Sequence, residues 1–448
     1  MLKQIKKLLS RPAPQTDSLT PISYRQQQHN IDQRHISDGV LKVIRDLQHA
    51  GYQAYLVGGG VRDLLLGATP KDFDVATDAH PEQVQAVFKR ALIIGRRFKI
   101  VHVRMGREVF EVTTFRGAHD SNNRASQQSE KGVLVRDNVY GSLDSDAMRR
   151  DFTVNALYYN PSSRELLDYT DGFKDLKRQT LRIIGNADDR YKEDPVRMLR
   201  AIRFACKLGF SLSPETEAPI RAHAEYLKEI PPARLFEEVL KLFMAGNAEQ
   251  VLASLQDYHL LNYLFPGTSR ALAAGERSDT ELLRLAARNT DTRIRDNKRV
   301  TPAFIYAAFL WPTLLANQRQ LRENPSSQGP NLYQVAAQQA ISEQLGATSI
   351  PKRFLMPMRE IWDLQARFDK RDARRAYALL ENPRFRAAYD FLLLREEAGE
   401  LNAELGEWWT RFQHADQEEQ KQLLSEVRPQ GPRGRSRRRP RKKIGNAD

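Results

Sequence analysis

The sequence predicts an α+β protein: a mixed sheet flanked by helices in its N-terminal part, then helices to near the C-terminus. Three observations predict it. Before residue 160, the apolar or alternating segments Ala54 to Val57, Lys99 to Arg104 and Val109 to Phe115 lie between helical stretches. From Asp188 to about residue 425, apolar residues recur at helical spacing. At 448 residues the chain is too long for one ordinary core, so the two patterns belong to different domains.

In chain order, residues 1–28 carry Pro12, Pro14 and Pro21 and read as an irregular, flexible segment. Val40, Leu41, Ile44 and Leu47 mark a helix over 36–50. A strand Ala54 to Val57, a glycine turn at Gly58-Gly59-Gly60 and a helix from Val61 to Leu66 follow. Lys71-Asp72-Phe73-Asp74-Val75 reads as a strand over 71–76. His80-Pro81-Glu82 opens a helix through Phe88, and Met105-Gly106-Arg107 turns one strand into the next. Residues 118–132 are polar and read as a mobile surface loop. Asp194 before Pro195 reads as the N-cap of a helix that carries Arg197, Arg200 and Arg203. Ala303 to Leu310 with Trp311 is the longest apolar run; it is too short to span a bilayer and reads as a buried helix. Arg319 to Gly329 reads as a polar break.

Composition narrows the function. The net charge of +14 calls for a polyanionic partner. Residues 428–443 hold nine of the Arg and Lys residues and no acid, so the rest of the chain is only mildly basic. Arg433, Arg435, Arg437, Arg438, Arg439, Arg441, Lys442 and Lys443 are therefore expected to bind nucleic-acid backbone with little sequence preference, in a tail that stays disordered without a partner. Cys206 stands alone, which excludes a disulfide framework and a cysteine-rich zinc site and suits a reducing cytosol; a buried structural thiol is expected. The N-terminus has no apolar core long enough for a signal peptide. A cytoplasmic monomer without stable membrane insertion is expected.

The chemistry is concentrated in three clusters. On a strand over 71–76, Asp72 and Asp74 share a face, and two such anions call for a hard divalent ion. The pair alone is weak, because such pairs are common in solvated loops. The glycine turn, Arg62-Asp63 and Gly67 ahead of it give it weight, since backbone N–H groups at such a turn hold phosphates. Phosphates beside a paired-carboxylate metal site mean phosphoryl or nucleotidyl transfer, with two Mg²⁺ ions clamping the attacking and leaving oxygens. Asp151 and Glu111 are both candidates for a third acid. In the second cluster, Arg149 to Asn155, Arg150 suits phosphate and Asn155 a sugar hydroxyl. In the third, Asp194 and Arg197 lie three apart and offer an acceptor and a donor to a base edge, although on sequence alone good helix-start chemistry accounts for them better.

The stretches LVGGGVRDLLLG, KDFDVAT, EVTTFRG, RRDFTVNALYYN, DGFKDLKRQTLRIIG and RYKEDPVRMLRAIRFACKLGF, in this order over roughly 54–212, resemble the class II nucleotidyltransferase superfamily. That superfamily contains bacterial poly(A) polymerases and CCA-adding enzymes. The resemblance implies a polymerase-β-like head over 29–160, a helical neck over 161–265, a helical RNA-binding body over 266–425 and a basic tail over 426–448. It implies that Gly58, Gly59 and Arg62 hold the triphosphate, with Arg62 braced by Asp63. Asp72 and Asp74 would bind the metals, with Asp151 counted beside them. Arg150 and Asn155 would contact phosphate and ribose. Glu193, Asp194, Arg197 and Arg200 would form the nucleobase pocket, and Asp171 and Asp175 would lie in a flexible connector. The stretches LVRDNVYGS, PKRFLMPMREIWDLQARF and RFRAAYDFLLLREEAGE, with the basic tail, look like the poly(A) polymerase branch. The implied activity is a polynucleotide adenylyltransferase that joins AMP from ATP to RNA 3′ ends, in mRNA processing and RNA decay, with RNA-decay proteins as partners. The alternatives are a CCA-adding enzyme and a non-catalytic RNA-binding protein on the same scaffold.

Overall fold

The computed structural model describes residues 19–95, 99–117, 139–323 and 331–427, and the backbone alone of 126–128 and 134–137. The loop expected at 118–132 falls largely outside the described residues, as does the basic tail with Arg433, Arg435, Arg437, Arg438, Arg439, Arg441, Lys442 and Lys443. Two compact units emerge. The first runs to Ser269 and includes Thr290–Lys298 and Ile341–Ser349; the second takes Arg270–Asn289, Arg299–Ala340 and the chain from Ile350.

The first unit is built on a mixed sheet. Its strands are β1 (Ile22–Tyr24), β2 (Ala54–Val57), β3 (Asp74–Thr77), β4 (Ala91–Ile94), β5 (Ile100–Met105) and β6 (Glu108–Thr114). Ser126–Gln128 (β7) and Leu134–Asp137 (β8) pair only with each other. Leu157–Asn160 (β9) and Glu165–Asp168 (β10) complete the sheet, in the order β1-β10-β9-β2-β3-β6-β5-β4. Only β3 and β6 pair in parallel; the other neighbours are antiparallel. The central strands are apolar on both faces: Leu56, Val57, Val75, Ala76, Val112 and Tyr158 are all buried.

Two expectations need correction here. The strand expected over 71–76 begins only at Asp74, so Asp72 precedes the ladder and is exposed. Gly60 explains the placement, because a Cβ there would stand 3.2 Å from the Asp72 carbonyl oxygen. The backbone at 72–73 is thus packed under the glycine turn instead of pairing with a strand. The segment expected to be irregular as far as residue 28 becomes ordered at Ile22, where Ile22–Tyr24 pairs with Leu166–Asp168 at the sheet edge.

The helix Asp38–His49 buries Val40, Val43, Ile44 and Leu47, as the apolar spacing predicts, and is capped by Ser37, whose hydroxyl accepts from Gly39 N. The expected flexible connector is instead built in: Asp175 is buried and accepts from Thr153 and Arg182. The helix Val196–Leu208 buries Met198, Leu199, Ile202 and Phe204 and ends at Gly209, whose φ of 68° suits glycine. Cys206 lies on that helix and is buried, as expected.

The second unit is helical. Helix Pro302–Glu323 carries the apolar run, buried from Pro302 to Leu314 except for the partly exposed Phe304, and continues through Pro312. Arg319–Glu323 therefore belong to a helix and not to the expected polar break, the rest of which, 324–329, lies outside the described residues. All four indole N–H groups are satisfied: Trp311 donates to Glu400, Trp362 to the Ala307 carbonyl, Trp408 to that of Leu423 and Trp409 to that of Phe368. Among the described residues no helix is long and apolar enough to cross a membrane.

Gly172 bears directly on the site. Its N–H and that of Phe173 donate to the Asp168 carboxylate, each at 3.0 Å, and a Cβ on Gly172 would overlap the Thr153 carbonyl. Backbone cannot yield there as a flexible side chain can. Gly172→Ala should cost about 1–3 kcal/mol, read as a lower urea midpoint with an unchanged slope. An unchanged midpoint would show that the turn at Thr153 is looser than this.

Candidate active site

The site grows from the end of β2. Gly58 has φ 78° and leads into the helix Gly59–Leu65. A Cβ on Gly58 would stand 3.6 Å from Asp74 Oδ2 and 3.7 Å from Arg150 Nη1, so a carboxylate and a guanidinium flank the turn. Asp74 lies opposite Glu111 in the parallel β3–β6 register. Glu111 also lies 3.5 Å from His102 Nε2. Burial, then Glu111, with a smaller contribution from Asp72, pushes Asp74 up to about 6, while Arg150 pulls the other way. Negative charge is in excess at this end of the sheet.

Arg150 is held from behind. Its Nε donates to Tyr158 Oη at 2.9 Å, its Nη2 to Asp146 Oδ2 at 3.0 Å, and Tyr158 donates to the same Asp146 oxygen at 2.6 Å. Arg62 is buried; it donates through Nε and Nη2 to Asp63 and through Nη1 to Asn155 Oδ1 at 2.7 Å. The bracing by Asp63 was expected; the tie to Asn155 was not. Asn155 in turn donates to Asp151 at 3.2 Å. Asp151 accepts from Phe152 N at 2.8 Å and from Arg200 Nε at 2.7 Å. Burial would raise the Asp151 carboxyl, but Arg200 and these hydrogen bonds hold it at about 2. Of the two candidate third acids, Glu111 therefore neighbours Asp74, while Asp151 is engaged by Arg200.

The third cluster is rearranged. The chain breaks at Asp194, which closes helix Ala187–Glu193 in an extended conformation, and the next helix starts at Val196 behind Pro195. Asp194 is thus not the N-cap, although its Oδ1 accepts from Val196 N at 3.4 Å. Its other oxygen pairs with Arg234 at 2.7 Å. Arg197 pairs not with Asp194 but with Glu193, at 2.6 Å. Arg190 donates to Glu193 and to the carbonyls of Arg149 and Arg150, each at 2.6 Å. Burial and then Arg197 depress Arg190 to about 10. Phe204 lies under three guanidinium groups, with Arg203 at 4.4 Å, Arg200 at 5.1 Å and Arg62 at 5.3 Å from its ring centre.

Sequence reasoning missed Asp146, Arg190, Phe204 and Arg234 as parts of this site. Asp146 lies four residues before Arg150 on a helix, a spacing that could have found it. Arg234 reaches Asp194 across 40 residues, and no local pattern announces it.

Three family models match the chain: "Poly A polymerase head domain" over residues 54–182, "Probable RNA and SrmB- binding site of polymerase A" over 209–272 and "Polymerase A arginine-rich C-terminus" over 328–443. Poly(A) polymerase I of Escherichia coli is 47% identical over 424 residues, 93% of this chain and 91% of that protein. The chain belongs to the poly(A) polymerase family. Its relation to CCA-adding enzymes is shorter: that of Streptococcus uberis is 39% identical over 229 residues, 51% of this chain and 54% of that enzyme. The family fold recurs in a tRNA nucleotidyltransferase solved with a primer tRNA and an incoming ATP analog. That structure has a TM-score of 0.53 at 22% identity, over 83% of this chain and 98% of that one. It supports the expected fold class, a sheet-bearing head followed by helices.

Asp74 gives this family member a pH signature. Its folded pKa of about 6 lies above the ordinary value of 3.8, so between these values the folded state binds the proton more tightly. The stability this contributes is full below about pH 4 and is lost as pH rises through about 6. Asp74→Asn keeps an uncharged side chain at all pH. With divalent ions chelated, it should exceed the parent in stability at about pH 8 by at most about 3 kcal/mol, and match it near pH 4. Urea unfolding at both pH values measures this; a pH-independent difference would remove the case for a strained carboxylate.

Proposed function

We propose that this chain joins AMP from ATP to RNA 3′ hydroxyls without a template and releases pyrophosphate. The relation to poly(A) polymerase I carries the reading, because it runs through nearly the whole chain, whereas the relation to CCA-adding enzymes stops at about half. The charged site supplies the chemical support. Family membership makes the chain a nucleotidyltransferase, which sets aside the non-catalytic RNA-binding alternative.

A divalent metal fits the residues present. Asp74 is a half-buried carboxylate with a second acid in register beside it and Asp72 near enough to raise its pKa further. Among the described residues, no set of three or more His, Cys, Asp or Glu forms a ready-made metal cage. That suits Mg²⁺, which is usually held by one or two carboxylates together with substrate phosphates and water. Asp72 and Asp74 would hold it, with Glu111 as the neighbouring acid. When bound, it would lower the pKa of the 3′-hydroxyl and stabilise charge on the leaving group.

The chain's own residues do the rest. Backbone at Gly58 and Gly59 approaches the phosphates where a side chain would intrude. Arg150, fixed by Asp146 and Tyr158, presents Nη1 toward the same turn. Arg62 orients Asn155 toward the ribose instead of reaching out itself. Glu193, Asp194, Arg197 and Arg200 are pre-oriented by ion pairs, so the base meets fixed donors and acceptors. Action in mRNA processing and RNA decay, in the cytoplasm, follows from the same reading.

The deciding experiment supplies a labelled RNA with Mg²⁺ and one nucleoside triphosphate at a time. ATP alone should give long extension. CTP incorporation on a tRNA lacking its 3′ end would favour the CCA-adding activity. Asp72→Asn and Asp74→Asn should each nearly abolish AMP incorporation, and Mg²⁺ should raise the melting temperature of the parent more than that of Asp74→Asn. Equal Mg²⁺ responses would remove Asp74 from the metal site. Arg197→Ala leaves Glu193 with one guanidinium partner fewer and should lower kcat/KM for ATP about 5- to 150-fold. Asp194→Ser should narrow the preference of ATP over CTP; if both variants keep the parent's ratio, base selection lies elsewhere.

A further inference from the structure

We propose that a cationic pocket in the second unit binds the phosphate backbone of RNA; the proposal rests on the reading that RNA is the substrate. The pocket is a cavity of about 240 Å³ lined by Arg367, Lys370, Arg375, Ala378 and Leu379. It forms where helix Lys352–Phe368 ends and helix Ala373–Leu380 begins.

Charge is the first argument. Residues 367–375 hold Arg367, Lys370, Arg371, Arg374 and Arg375 against Asp369 and Asp372 only. Asp372 is already engaged: it accepts from Arg375 N at 3.3 Å and pairs with the Arg375 guanidinium at 3.2 Å. Arg367 and Lys370 are exposed, and neither side chain has a hydrogen-bond or ion-pair partner among the described residues. A cation in the last turn of a helix is ordinary, which accounts for Arg367 alone and not for the cluster.

Shape and rigidity are the second. Arg375, Ala378 and Leu379 lie at i, i+3 and i+4, so one helix face supplies an apolar floor beside a cation. The segment between the helices is anchored, because the Arg371 guanidinium sits 5.5 Å over the ring of Trp408, which belongs to a buried aromatic cluster. Arg371 Nε is buried and has no hydrogen-bond partner. No Asp, Glu, Asn or Gln lines the cavity, so it suits backbone phosphate and not base identity. Leu379 is buried in the core cluster and leaves an acidic peptide little to grip, which favours RNA over a protein partner.

The test uses the full chain with Arg367→Glu/Lys370→Glu and the neutral Arg367→Gln/Lys370→Gln. Anisotropy titrations with a long RNA across a salt series give Kd and its salt slope. Both variants should bind at least about tenfold more weakly at low salt, with the log–log slope smaller by roughly 0.7 for each phosphate that is no longer neutralised. In AMP incorporation, KM for RNA should rise while kcat at saturating RNA and KM for ATP hold; circular dichroism confirms folding. A parent-like Kd and slope in the neutral pair would overturn the proposal. So would loss of polyglutamate binding with RNA binding intact, which would make the pocket a protein site. If the parent itself adds no AMP, the functional reading fails, and the RNA titration still decides the pocket.

Discussion

Asp151 ties together the parts on which the site depends. It is a largely buried carboxylate that takes Arg200 from the helix Val196–Leu208, Asn155 from its own segment and the Phe152 backbone. Through Asn155 it reaches Arg62 in the glycine-turn helix. A buried charge is tolerated only when its partners are in place, and removing one partner leaves the other uncompensated. The glycine turn, the Asn155 amide and the helix Val196–Leu208 are therefore set relative to one another by a single anion. Phe204 gives the arginines of the helices Gly59–Leu65 and Val196–Leu208 a common floor, with Arg62, Arg200 and Arg203 around its ring.

Around that tie, charge is divided into two groups. Asp72, Asp74 and Glu111 gather at the start of β3 and beside it, where burial and then the neighbouring acids raise Asp74. Arg150 faces them from across Gly58, unable to turn away because Asp146 and Tyr158 hold its other nitrogens. Under the proposed function, a nucleotide polyphosphate with a divalent ion would satisfy both groups together: metal against the carboxylates, phosphate against the guanidinium. Such preorganised charges would need little reorganisation during the reaction.

The second unit shows the same principle in a helical setting. Its tryptophans are locked by their N–H groups to carbonyls or to Glu400, and Trp408 also carries the Arg371 guanidinium. An aromatic core thus holds the Arg371 guanidinium in place between two helices. The chain's positive charge is accordingly present both in the tail sequence and on an ordered scaffold.

The sequence by itself determined the fold class, the strand Ala54–Val57, the helix Asp38–His49 and the family, because periodicity, glycine turns and motif order are local properties. The resemblance also implied the bracing of Arg62 by Asp63, and the two side chains do meet. Tertiary structure decided what those residues face. Packing of Gly60 over the Asp72 carbonyl kept Asp72 off the strand that the alternating pattern suggests. Pairing with β10 drew Ile22–Tyr24 into the sheet despite the nearby prolines. Asp194 found Arg234 and Arg197 found Glu193, although the three-residue spacing suggests that Asp194 and Arg197 act as one edge. Partners of this kind are chosen by which segments the core brings within reach, and distance along the chain carries no record of that choice.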